Sequence, residues 1–126
     1  METTFRTEVI KSSRELTARE KVQLKDTAGC TSLDLVSKTD PDAVIMVTGY
    51  VILGVHIDSE KGEKDYEQLV ILSDNGEKYI TGSGSFRSSF LDIWEDMQTD
   101  PDPWGIKVKR IPSKHFGGDF LKAVLV

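Results

Sequence analysis

Residues 65–97, DYEQLVILSDNGEKYITGSGSFRSSFLDIWEDM, decide the fold. Gln68 to Leu72 is apolar and β-branched, and Lys78 to Thr81 resumes the strand pattern. Between them, Asn75-Gly76 can supply the positive φ angles that a two-residue hairpin turn demands. Beyond Gly82-Ser83-Gly84-Ser85 the period changes. Phe86, Phe90, Ile93, Trp94 and Met97 recur at helical spacing and Leu91 widens the stripe, while Arg87, Asp92 and Glu95 lie off it. Ser83 or Ser85 is a natural N-cap. A meander that hands the chain to one core-covering helix predicts the centre of a small β-barrel.

Upstream, residues 43–57 (AVIMVTGYVILGVHI) form the longest apolar run. Their Val and Ile density, with Gly49 and Gly54, predicts one long strand bent at its glycines, as a small barrel needs for closure. Asp58 to Lys64 (DSEKGEK) reads as a charged loop, and Thr39-Asp40-Pro41-Asp42 as a turn. Residues 4–11 read as a short strand with Phe5, Val9 and Ile10 in the core. Residues 12–38 are mixed: Ser12-Ser13-Arg14-Glu15 resembles a capping box, whereas Val22 and Leu24 alternate like a strand.

Downstream, Thr99-Asp100-Pro101-Asp102-Pro103 breaks the chain. In Gly105 to Ile111, Ile106 and Val108 alternate against Lys107 and Lys109, a half-buried strand with a basic outer face. Pro112 to Gly118 (PSKHFGG) is a loop, and Phe120 to Val126 a last strand. The predicted order over residues 43–126 is strand, strand, strand, helix, strand, strand. That is the order of a five-stranded oligonucleotide/oligosaccharide-binding (OB) barrel, here mainly β, as one domain with residues 1–42 as an N-terminal extension.

The 126 residues suit a single core. No apolar run is long enough to span a membrane, no secretory signal opens the sequence, and Cys30 is alone, which together point to the cytoplasm. Net charge is −5, but residues 103–126 carry Lys107, Lys109, Arg110, Lys114 and Lys122 against Asp119 alone, a local +4. Such polarity suits a basic binding face opposite an acidic one. Random surface charge that keeps the protein soluble explains it as well.

No catalytic constellation is present: no phosphate-binding glycine loop, no HExxH, no CxxC, and His56 and His115 lie far apart. No cofactor is expected. Asp92, Glu95 and Asp96 read as a solvated helix face rather than a metal site, and Gly82 to Ser85 as a turn and cap rather than a phosphate cradle. Single-strand nucleic-acid binding fits better, because it needs only cations tracking phosphates and aromatic faces for stacking bases. The candidate aromatics are Tyr66, Tyr79, His115, Phe116 and Phe120; the candidate cations are Lys64, Lys107, Lys109, Lys114 and Lys122. Each has a plainer reading: Tyr66 and Tyr79 as half-buried sheet residues, Phe120 as core, the lysines as ordinary surface. Trp94 belongs to the core stripe, and Trp104 either plugs the barrel end or lies exposed.

The runs YITGSGSFRSSFLDIWEDM and GIKVKRIPSKHFGGDFLKAVLV, with LTAREKVQLKDT upstream, resemble the single-stranded DNA-binding proteins of phages and prophages of Gram-positive bacteria. The resemblance implies an OB-type protein of DNA replication or recombination that coats single strands without chemistry, often as an oligomer, with Ser113, Lys114, His115 and Phe116 at the strand. Bacterial proteins of this kind commonly end in an acidic tail that recruits partners, whereas this sequence stops in KAVLV. Two rivals stand beside this reading. One is an OB-like phage adaptor or inhibitor that binds protein through its acidic face. The other is a metal-dependent hydrolase using the carboxylates from Asp92 to Asp102.

Overall fold

A computed structural model of the chain describes residues 3–113 and 118–126. In order it contains β1 (Thr4–Ser12), α1 (Ala18–Lys25), β2 (Thr31–Ser32), α2 (Leu33–Thr39), β3 (Ile45–Ser59), β4 (Gly62–Ser73), β5 (Lys78–Thr81), α3 (Gly84–Met97), β6 (Gly105–Pro112) and β7 (Asp119–Leu125). The fold is mainly β, a mixed seven-stranded sheet with three helices. The ladder runs β2-β5-β4-β3-β6-β7, and β1 joins β3.

The hairpin and helix of residues 65–97 form as their pattern predicts, with one change at the turn. Only Gly76 takes a positive φ, +82°. Its N–H donates to Ser73 O at 3.2 Å, and Ser73 N–H donates to Glu77 O at 3.2 Å. The loop is therefore a three-residue turn closed by a left-handed glycine, not a two-residue Asn-Gly turn. Ser83 caps α3, its hydroxyl accepting from Phe86 N–H at 3.2 Å.

The long strand β3 is the axis of the sheet. One edge pairs with β4 along its length, whereas the other is divided: Ile45 and Met46 pair with β6, and residues from Val51 to Asp58 pair with β1. Thr48 is a bulge, because Val47 opposes Ser73 while Gly49 opposes Leu72. The extra residue shifts the phase, so Ile45 and Val47 before it share one buried face with Tyr50 and Ile52 after it. Gly49 permits the close approach that follows: a Cβ there would sit 2.7 Å from Ser13 Oγ. That hydroxyl accepts from Tyr50 N–H at 3.0 Å.

Both faces of β3 are covered as far as Leu53. On one, α3 lays Phe86 and Phe90 over Tyr50, Ile52, Leu69, Ile71, Ile106, Val108, Leu121 and Ala123, and Leu33 of α2 closes the cluster. On the other, Leu24 of α1 packs on Val51, Leu53 and Val70, with Val9, Leu16 and Cys30 around them. The mixed stretch 12–38 thus resolves into two helices. The capping box is Thr17 with Glu20, not Ser12 with Glu15. Val22 and Leu24, which alternate like strand residues, lie in α1, with Leu24 buried and Val22 exposed. Phe5 and Ile10 are not core residues either; they are 66% and 53% exposed on β1.

A closed five-stranded barrel is not what forms. Among the described residues β5 does not pair with β7, and helix α3 takes up the edge of β7 instead. Ser85 Oγ donates to Leu121 O at 2.9 Å, and Ser89 Oγ accepts from Ala123 N–H at 2.8 Å. Two backbone groups available for closing a barrel are thereby satisfied by serine side chains. The charged segment Asp58 to Lys64 is not a loop: β3 and β4 continue through it, with only Glu60 and Lys61 between them and Gly62 at φ +109°. The β3–β4 ladder itself, pairing Ile57 with Lys64, Asp58 with Glu63 and Ser59 with Gly62, holds these polar residues in extended form, which their composition alone does not announce.

Candidate nucleic-acid interface

Strands β6 and β7 carry the basic face. Ile106, Val108, Leu121 and Ala123 point into the main core, so the alternate residues Lys107, Lys109, Phe120, Lys122 and Val124 point outward. The register sets Lys107 opposite Val124, Ile111 opposite Phe120, and Lys109 directly opposite Lys122. Like charges facing across a ladder are destabilising, and these three lysines form no ion pair among the described residues. Phe120, at the end of the row, is 39% exposed, a half-open aromatic beside the lysines rather than a core side chain.

Arg110, the remaining described cation of the basic segment, lies on the inward side of β6 and is spoken for. Its guanidinium bonds the Asp34 carboxylate and reaches Ser37 Oγ at 3.1 Å, and Nη1 lies 3.5 Å from Asp119 Oδ2. That contact, above all the hydrogen bond from Arg110, holds the Asp34 carboxyl below the usual carboxylate range. Arg110 therefore anchors α2 and β7 to β6 and is not available to a ligand.

Lys64 and Tyr66 occupy a different place. They lie in the first half of β4, in a three-stranded arm with β1 and the second half of β3. The registers put Phe5, Ile57 and Lys64 in one cross-strand row, and Thr7, Val55 and Tyr66 in the next, all on one face. Tyr66 is 38% exposed and Phe5 more so. Phe5 was not legible as a surface aromatic, because an apolar residue in a short strand reads as core. The opposite face of the arm carries Arg6, Glu8, His56, Asp65 and Glu67 around a shallow cleft, with a hydrogen bond between His56 Nδ1 and Asp65 Oδ1.

The predicted groove is thus divided. Lys107 neighbours Ile106, the partner of Ile45, whereas Tyr66 opposes Val55. The ten-position separation along β3, from Ile45 to Val55, corresponds to roughly 30 Å of strand. Tyr79 belongs to neither patch; half-buried, it packs against the main core. Lys114, His115 and Phe116 lie outside the described residues, and Ser113 and Gly118 on either side are joined by a 2.8 Å backbone hydrogen bond. Trp94 and Trp104 pack against each other at 5.9 Å, both half-buried beside the core.

The acids Asp92, Glu95, Asp96, Asp100 and Asp102 are all exposed. Among the described residues no cluster of His, Cys, Asp and Glu is arranged to hold a metal ion, and no helix is long and apolar enough to cross a membrane. Comparison with protein-family models, curated proteins and solved structures finds no match for the chain.

Proposed function

We propose that this protein binds single-stranded DNA without sequence preference, as a non-enzymatic component of phage replication or recombination in the bacterial cytoplasm. The observation that carries the proposal is the outer face of β6 and β7, where Lys107, Lys109 and Lys122 stand together with Lys109 opposed to Lys122. An unscreened lysine pair raises the energy of the free protein, and a phosphate chain laid across it removes that penalty. Phe120 beside the lysines, and Tyr66 on the arm, supply faces for stacking bases. The strand order from β3 to β7, with α3 after the third of these strands, supports reading this part of the chain as an OB-like unit left open on one side. The exposed acids of α3 and the following loop support a second reading, an adaptor that docks a basic protein surface.

The test is fluorescence anisotropy of a labelled oligo-dT titrated with protein over a range of salt, with duplex of equal length as control. Binding to dT that weakens with salt and is absent for duplex is the expected result. No binding at low salt overturns the proposal and turns attention to the acidic face.

A further inference from the structure

Strand β1 is an uncovered edge. It pairs with β3 on one side only, and nine residues, Thr4–Ser12, run beside it without a second neighbour among the described residues. A long edge strand free of proline, with Phe5 and Ile10 exposed on it, is a template for another strand. Its charges say which strand. Arg6 and Glu8 are exposed, make no ion pair among the described residues, and point to the same face.

From this we infer that β1 docks antiparallel on β1 of a second copy of this chain, about a two-fold axis at Thr7. In that register Arg6 of each copy opposes Glu8 of the other, Phe5 opposes Val9, and Thr7 opposes Thr7. Within Phe5 to Val9, ahead of the bulge between Val9 and Lys11, the facing pairs are complementary: two ion pairs on one face, and on the other two apolar contacts that cover Phe5. A shift by two residues loses this, because Glu8 then faces Glu8 or Arg6 faces Arg6. Direct opposition of residues of equal parity also keeps each side chain on its own face.

The product is one sheet running β5-β4-β3-β1 and on into the same strands of the partner copy in reverse. Five interstrand steps separate the two Tyr66 side chains, roughly 24 Å across one continuous face. Dimerisation does not rest on nucleic-acid binding, but it would present the arm's aromatic face twice.

Sedimentation equilibrium of the full chain without nucleic acid tests this. The expected result is a dimer whose dissociation constant rises about tenfold in Arg6→Glu and in Glu8→Arg, since each reversal sets two like pairs face to face. The double exchange, Arg6→Glu with Glu8→Arg, restores complementarity and returns the constant to that of the parent. A monomer at millimolar concentration overturns the inference, and so does a dimer indifferent to the single reversals or not rescued by the exchange. Thr7→Cys in a Cys30→Ser background gives an independent readout that needs no charge change. Facing Cα atoms in an antiparallel pair lie within disulfide reach, so mild oxidation should link two chains through residue 7. Failure to crosslink overturns the register.

Discussion

Lys109→Glu should make the protein more stable and worse at binding. In the folded chain Lys109 faces Lys122 on an exposed ladder, with Lys107 on the same face. A facing charge pair is worth about 0.2–1 kcal/mol in either sense, so replacing repulsion by attraction should stabilise by about 0.5–1 kcal/mol after solvent screening. Unfolding entropy near 2.1 cal/mol/K per residue gives about 0.26 kcal/mol/K for a chain of this length, so Tm should rise by about 2–4 °C. The rise should shrink in concentrated salt, where the Debye length falls below the lysine separation. In the oligo-dT titration the same variant should lose about tenfold in affinity at moderate salt. Its plot of log affinity against log salt should flatten by at least about 0.7, the share of one phosphate contact on a single strand. A fall in Tm would refute the claim that the lysine pair is repulsive. A raised Tm with unchanged affinity and slope would refute the assignment of the β6–β7 face to the nucleic acid.

Other expected outcomes follow from single contacts. Phe90→Ala removes a fully buried ring that packs edge-on to Tyr50 at 5.7 Å and parallel to Phe86 at 6.4 Å, and denaturant unfolding should show a loss of about 3–5 kcal/mol. Ser89→Ala strips the acceptor from Ala123 N–H, and a cost of about 1–3 kcal/mol with faster hydrogen exchange at that amide is expected. Tyr66→Ala should weaken oligo-dT binding by the share of one stacked base, about 1–3 kcal/mol, with little change in salt slope or Tm. Glu20, held by the Arg14 guanidinium and by Thr17 N–H, has its carboxyl pulled from 4.5 down to about 2. A depressed folded pKa means that its contribution is complete above pH 4.5 and disappears as the pH falls toward 2. NMR titration of Glu20 in Arg14→Met should find the midpoint moved back up, toward the ordinary value.

Much of the candidate site was legible, because strand alternation is local. Lys107 and Lys109 against Ile106 and Val108 declare an outward basic row from sequence alone. Their confrontation with Lys122 appears only when β7 pairs in a particular register. The arm was hidden for a different reason. Asp58 to Lys64 is too polar to read as strand, and Phe5 too apolar to read as surface. Phe5 owes its place to β1 lying along β3, a pairing between residues some fifty positions apart, whereas Asp58 to Lys64 are held extended by the β3–β4 ladder, which runs on to Ser59 and Gly62. The capping box of Thr17 with Glu20 is written in the sequence, but the alternation of Val22 and Leu24 competes with it. Burial of Leu24 against Val51, Leu53 and Val70 decides for the helix.

By itself the sequence determined the hairpin, the helix of residues 84–97, the single long strand β3 and the outward lysines, because each depends on spacing or composition within a few residues. Only the tertiary structure decided that the sheet stays open. Whether β5 meets β7 depends on what else can satisfy the edge of β7, and Ser85 and Ser89 reach it from α3. It also decided that the basic face and the aromatic arm lie apart, since β3 is long enough to give its two ends to different partners.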